Sequence, residues 1–288
     1  MDATESTGPE RALPTQRTPA AGDAAFTSSI AALYDEHLGP MIFEPYAVDL
    51  AERVAALAPE AVLEIAAGTG VATRAIARRL PPGAALLATD LNPAMLARAE
   101  EVGASRPVRW QQADAARLPF GDGTFDVAAC QFGAMFFPDK PRAFAEARRV
   151  LRPGGAFLFS VWGPLEENEF TEVVVTALAR LFPVDPPRFM SRTPHGYFDR
   201  AAIAGDLTVA GFTAAPRFER VALRSRAPSA QVTALALCQG TPLRGEIEAR
   251  PGADLAEVTA ACAAALSARF GKGRIEGGMA AQVVTVEA

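Results

Sequence analysis

The segment AVLEIAAGTG, residues 61–70, decides the fold of this 288-residue chain. Ala61 to Ile65 is a short apolar run carrying one acid and bounded by small residues. It predicts a parallel strand buried on both faces. Gly68 and Gly70 follow, and the spacing from Gly70 to Leu80 predicts a helix that starts at once. Glycines at such a turn let backbone N–H groups approach a ligand, and a helix N-terminus favours negative charge. Taken alone, the turn is equally a tight packing turn.

Outward from this unit the pattern repeats. Ala85 to Thr89 reads as a strand ending at Asp90, and Pro93 to Val102 as a helix with proline where a missing N–H costs nothing. Val108–Gln112, Phe125–Cys130 and Ala156–Trp162 read as strands, and Pro141–Leu151 as a helix before a turn at Arg152-Pro153-Gly154-Gly155. Later, Phe170–Phe182, Ala201–Ala210, Ser229–Gln239 and Asp254–Phe270 read as helices, and Arg217–Arg224 and Ala281–Glu287 as strands. Pro183 to Pro194 predicts no regular structure. Upstream, helices are predicted over Phe26–Leu38, ended by Gly39-Pro40, and over Phe43–Leu57. This alternation predicts an α/β fold: a doubly wound, Rossmann-like, mostly parallel seven-stranded sheet, with N-terminal helices and helical insertions forming a cap.

Bulk properties narrow the function. Half of the residues are hydrophobic, so a large core can be buried. The net charge of −5 offers no basic field, which argues against a nucleic acid partner. The Arg78-Arg79 and Arg148-Arg149 pairs read as cations at helix C-termini. Cys130, Cys238 and Cys262 are scattered without metal-ligand spacing, so no metal site is expected and a reducing, cytoplasmic setting is. No run of 18 apolar residues exists, so no membrane span is expected. Met1 to Asp23 lacks an apolar h-region and reads as a disordered tail, not a signal peptide.

Two acids stand where a nucleoside ligand needs them. Asp90 closes the second strand twenty positions after Gly70, and its two oxygens suit the hydroxyls of a ribose. The competing reading is a carboxylate at the helix start near Pro93. Asp114 follows the third strand and can accept from the exocyclic amine of adenine; the competing reading is an Asx-turn.

At these residues the chain resembles the class I S-adenosylmethionine-dependent methyltransferases, closest to the small-molecule group of the ubiquinone/menaquinone-biosynthesis type. Residues 62–70 resemble the family's first motif and Thr89–Leu96 the second. Asp114-Ala115, Leu118-Pro119-Phe120 and Thr124-Phe125-Asp126 resemble the third and fourth, and Leu151–Gly155 the turn before the fifth strand. The likeness spans about residues 60–162, with one departure: Ala66 stands where the first glycine is usual.

The resemblance implies S-adenosyl-L-methionine as cofactor and a small-molecule acceptor. It also implies roles. Glu64 would orient the turn and the cofactor's amino group, and Ala66 and Gly68 would let the backbone approach the methionine moiety. Asp90 would hold the ribose, Leu91 would pack on adenine, and Asp114 and Ala115 would read the adenine edge. Gln131 and Phe132 would line the methyl end, with Tyr34 closing over the cofactor. A tail over 1–25, cap helices over 26–58, a cofactor-binding core over 59–162 and an acceptor-binding remainder over 163–288 follow.

The acceptor region carries fewer signals. His195 is the candidate catalytic residue, ahead of His37. Phe136, Phe137, Trp162 and Phe189 are candidates for apolar walls, and core packing accounts for each as well. The oligomeric state, monomer or homodimer, stays open. Two other functions compete: a cofactor-binding module without turnover, and a nicotinamide-dependent oxidoreductase. Against the latter, Thr73 stands where the G-x-G-x-x-G spacing needs its third glycine.

Overall fold

The computed structural model describes residues 19, 20, 22, 23 and 27–288. Most of the expected tail, and Phe26, therefore lie outside the described residues. The chain opens with α1 (Ser28–Leu33), a π-helix (Tyr34–Phe43) and α2 (Glu44–Ala56). The core follows as β1 (Ala61–Ile65), α3 (Val71–Arg79), β2 (Ala85–Asp90), α4 (Pro93–Val102), β3 (Arg109–Gln112), β4 (Phe125–Gln131), α5 (Lys140–Val150) and β5 (Leu151–Trp162). Then come α6 (Glu169–Leu181), α7 (Phe189–Arg192), α8 (Arg200–Val209), β6 (Arg217–Ala227), α9 (Ala230–Gln239), α10 (Leu243–Glu248), α11 (Leu255–Phe270) and β7 (Ile275–Glu287).

The seven strands form one sheet in the order β3-β2-β1-β4-β5-β7-β6. The first five run parallel, and β7 pairs antiparallel with both β5 and β6. Val62, Leu63, Glu64 and Ile65 are all buried, as a central strand covered on both faces requires. The order reverses between β1 and β4. Beyond the carboxyl ends of these two strands the connecting loops diverge to opposite faces and leave a crevice.

Local chemistry fixes the helices that flank the crevice. Asn92 caps α4, its Oδ1 accepting from the Ala94 and Met95 amides, with Pro93 at the first position. Asp139 caps α5 by accepting from Arg142 N at 3.0 Å. Arg78, Arg79, Arg148 and Arg149 do sit in the last turns of α3 and α5. Arg149 does more: its guanidinium donates to the Leu118 and Phe120 carbonyls and fixes the loop before β4.

Three expectations need correction. Gly39-Pro40 does not end the first helix. A proline deprives an α-helix of one N–H, but here the winding widens to a π-helix with Pro40 inside, and Glu44 N bonds back to Gly39 O. The Arg152–Gly155 turn lies inside β5. Phe125 pairs with Leu151 and Val127 with Ala156, so residues 152–155 bulge out opposite Asp126. The stretch 183–194 contains α7, because Glu246 of α10 caps it, accepting from Arg188 N at 2.6 Å and Phe189 N at 3.0 Å. The helix α10, which supplies that carboxylate, had also not been foreseen.

The elements α9 to α11 sit between β6 and β7 in sequence. α9 packs on α11 and on the π-helix. The N-terminal elements and the late insertions thus meet over the crevice. Among the described residues, no helix is long and apolar enough to cross a membrane.

Candidate active site

A cavity of about 290 Å³ occupies the crevice. All ten residues expected to hold a cofactor line it: Tyr34, Glu64, Ala66, Gly68, Asp90, Leu91, Asp114, Ala115, Gln131 and Phe132. They come from the ends of β1, β2 and β4, the loop after β3, and the π-helix.

The turn after β1 is built without slack. Ala67 N donates to Thr89 O at 2.9 Å, and Gly70 N donates to Ala67 O at 2.9 Å. Gly70 has φ +82°, and a Cβ there would meet the Trp110 ring at 2.9 Å. Ala66 has φ +56°, the left-handed region that favours glycine. Its methyl is housed because the facing residue is Gly133, where an added Cβ would stand 2.5 Å from Ala66 Cβ.

Asp90 joins this turn to β2. Its Oδ2 accepts from Gly68 N and its Oδ1 from Asn92 N, both at 2.8 Å. The carboxylate keeps some acceptor capacity. Burial pushes the carboxyl upward, and the Asn92, Gly68 and Leu91 amides oppose that. The turn and helix-start readings of Asp90 are therefore satisfied together with a place on the cavity wall.

Glu64 is 1% exposed, and its Oε2 has no partner. Burial drives its carboxyl up to about 8, against the pull of the Thr73 hydroxyl and the Arg74 charge. Gln131 donates from Nε2 to Phe43 O at 3.1 Å, while its Oε1 is buried without a partner. With the Thr69 hydroxyl, three buried polar atoms on this wall thus lack partners.

The outer end of the cavity is different. Leu91 is 57% exposed, an apolar side chain held at the mouth. Gln112 Nε2 donates to its carbonyl at 2.9 Å. Asp114 is exposed and accepts from Ala116 N at 2.8 Å, so it does form the Asx-turn, with its other oxygen left over.

Tyr34 closes one side. Its ring stacks on Phe43 at 4.8 Å. Burial, then the Asp90 and Asp35 charges, hold its phenol far above the ordinary range, so it stays neutral. The neighbouring Asp35 accepts from Arg74 of α3 at 2.9 Å and from Arg98 of α4 at 3.0 Å. Arg74 also donates to Thr69 O at 2.7 Å. Sequence reasoning missed this latch, because its three residues are far apart in the chain.

A second, smaller cavity of about 70 Å³ adjoins the first. Tyr34, Phe43, Phe132 and Phe136 line both. Phe132, at φ +54°, stacks on Trp162 at 3.8 Å with the planes 2° apart, and Tyr46 packs edge-on against both. Trp162, Phe136 and Phe189 line the smaller cavity as expected for apolar walls, but Phe137 faces the larger one, because it follows the one-turn helix Ala134–Phe136 that turns the chain. Thr241 and Pro242, between α9 and α10, also line it.

His195 lines this smaller cavity and not the larger one. It is 6% exposed. Its Nδ1 lies 2.9 Å from Gly163 O. A carbonyl only accepts, so Nδ1 carries the hydrogen and Nε2 the lone pair. Burial holds its pKa down at about 4. His37 lies by Glu36, 3.9 Å away, and lines neither cavity.

Comparison with known proteins identifies relatives of the chain. A family model described as a methyltransferase domain matches residues 63–159. A demethylmenaquinone methyltransferase of Thermus thermophilus is 37% identical over 139 residues, covering 48% of this chain and 61% of that protein. The chain thus matches somewhat less than two thirds of that relative's length. A malonyl-[acyl-carrier protein] O-methyltransferase of Geobacter sulfurreducens is 32% identical, over 64% of this chain and 70% of that one. Among solved structures, phosphoethanolamine N-methyltransferase 2 of Haemonchus contortus in complex with S-adenosyl-L-methionine shares the fold at a TM-score of 0.57. It is 17% identical, over 92% of this chain and 58% of that one.

Proposed function

Since the chain belongs to the class I S-adenosylmethionine-dependent methyltransferases, we propose that it transfers a methyl group from S-adenosylmethionine to a small acceptor, and that its two cavities hold these two reactants. The sulfonium supplies an activated methyl group when bound. The protein's own task is then to place a nucleophile in line and to keep water out.

In this reading Glu64 accepts from the cofactor's ammonium group, and Ala66 and Gly68 keep the backbone close to the methionine moiety. Asp90 offers its remaining lone pairs to the ribose hydroxyls. Leu91 lies against adenine, whose edge is read at Asp114 and Ala115. Gln131 and Phe132 stand at the methyl end, with Tyr34 closing the side. The four shared rings mark where the nucleophile would meet the methyl group. His195 would serve the reaction from the acceptor side, as a neutral imidazole with a free lone pair at Nε2.

The observation that carries this reading is that Glu64 Oε2 and Gln131 Oε1 are buried without partners on the wall of the larger cavity. Leaving such atoms unpaired costs about 1–3 kcal/mol each, and a bound ammonium group, which favours the ionised carboxylate, would relieve Glu64. The nicotinamide reading gains no such support, since that cofactor brings no ammonium. Calorimetric titration with S-adenosylhomocysteine and with NADH tests it. Binding of the former is expected; binding of NADH alone would reverse the reading. Labelled-methyl transfer in an acceptor screen would separate an enzyme from a module that only binds.

A further inference from the structure

We propose that the smaller cavity selects a neutral, single-ring apolar acceptor bearing one hydroxyl group, which donates to His195 Nε2, and that it rejects acceptors carrying a carboxylate, phosphate or ammonium group. The word acceptor rests on the methyltransferase reading above; the selectivity rests on the cavity itself.

None of the residues that line this cavity is Asp, Glu, Lys or Arg. A charged group entering it would lose its water and find no partner of opposite sign, the costliest form of burial. The polar side chains on the wall are mostly spent inside the protein. Asn168 donates to the Pro164 and Ala280 carbonyls and accepts from Ala280 N. Ser225 donates to Met41 O at 3.0 Å, and Thr241 to Leu237 O at 2.8 Å.

His195 is set apart. Its ring is buried and pinned through Nδ1 by Gly163 O. Nε2 is left as a fixed acceptor beside Trp162, whose ring centre lies 6.1 Å from that of the imidazole. A ligand that brings a single O–H donor satisfies this atom. One without a donor leaves it bare, and an anion meets its lone pair head-on. The volume of about 70 Å³ admits about five waters, which suits one substituted ring. Stacked Phe132 and Trp162 supply a flat apolar wall.

The test uses binding, independent of turnover. The full chain, with S-adenosylhomocysteine present, is titrated calorimetrically with 4-methylphenol, 4-methylbenzoate and 1,4-dimethylbenzene. The phenol is expected to bind at least about tenfold more tightly than the benzoate and several-fold more tightly than the hydrocarbon. In His195→Phe the advantage of phenol over hydrocarbon should vanish, and in His195→Gln, which keeps an acceptor, part of it should return. Benzoate bound as tightly as phenol, an unchanged phenol advantage in His195→Phe, or no binding of any of the three at millimolar concentration overturns the inference. If His195→Phe fails to fold, the wild-type ranking and His195→Gln decide it. Titration with S-adenosylhomocysteine alone keeps the two readings apart. Its failure beside intact phenol selectivity would sink the methyltransferase reading and leave the cavity's selectivity standing.

Discussion

Asp90 holds the Gly68 amide at 2.8 Å, so the acid at the end of β2 and the turn after β1 form one rigid piece. The carboxylate both shapes the turn and faces the cavity. Asp90→Ala is expected to weaken S-adenosylhomocysteine about 10- to 100-fold, since each hydrogen bond to a charged group contributes about 1.5–3 kcal/mol. Calorimetry measures this, with circular dichroism as the check on folding. Unchanged affinity would remove Asp90 from the ribose site.

The pairing of Ala66 with Gly133 has its own signature. Gly133→Ala would push a methyl to 2.5 Å from Ala66 Cβ and 2.8 Å from Cys130 Sγ. A loss of about 1–3 kcal/mol is expected from such overpacking. Ala66→Gly should restore much of it, because it clears the nearest atom and relieves a left-handed alanine. A double-mutant cycle by urea unfolding reads the coupling, and strict additivity would refute it.

Stability should depend on pH through Glu64. Burial lifts its carboxyl to about 8, against an ordinary 4.5. Between those values the folded protein keeps a proton that the unfolded chain has released, so stability is full at low pH and is lost as pH rises through 8. Burial of Asp90 acts in the same direction. His195 acts in the opposite one. Held at about 4 rather than 6.5, it withdraws stability as pH falls from 6.5 towards 4. The urea midpoint of the ligand-free protein is expected to fall between pH 6.5 and 8.5, where His195 no longer titrates, and Glu64→Gln should flatten that decline. A slope indifferent to the substitution would mean that Glu64 is not the buried proton holder.

Asp35 ties the π-helix to α3 and α4 through Arg74 and Arg98. Both guanidinium groups keep some solvent contact, so Asp35→Ala is expected to cost about 1–3 kcal/mol, below the value for a sealed pair. Hydrogen exchange of the amides over 34–43 should quicken, and S-adenosylhomocysteine affinity should drop several-fold as Tyr34 loses its seat. Exchange unaltered in that segment would show that packing alone holds the helix.

The wall of the larger cavity was legible in the sequence because it is made of local signals. A buried strand, a small-residue bend and an acid at the next strand end occur in fixed order, and Gly68, Asp90 and Asp114 could be named from them, whereas Glu64 was named only through the family resemblance. The parallel order followed from the short alternating links. The smaller cavity was nearly silent. Ser225, Thr241, Met279 and Leu38 reach one cavity from three elements and a loop, and each by itself has the look of an ordinary core residue. The π-helix was hidden for a different reason: Gly39-Pro40 is a stop signal for α winding, and only packing beneath α9 shows that the chain turns on through it. The helix α7 owes its start to Glu246, nearly sixty positions away, which no window on the sequence reaches.

The rings of Tyr34, Phe43, Phe132 and Phe136 belong to two chambers at once. No replacement among them can be private to one chamber: a change that widens one room dents the other. Change confined to the small room is therefore left to the far side, where Phe189, Met190, Leu237 and Met279 border it without touching the large one. Those residues come from the late, weakly patterned half of the chain. The partition is thus doubly constrained, and that distant wall only once.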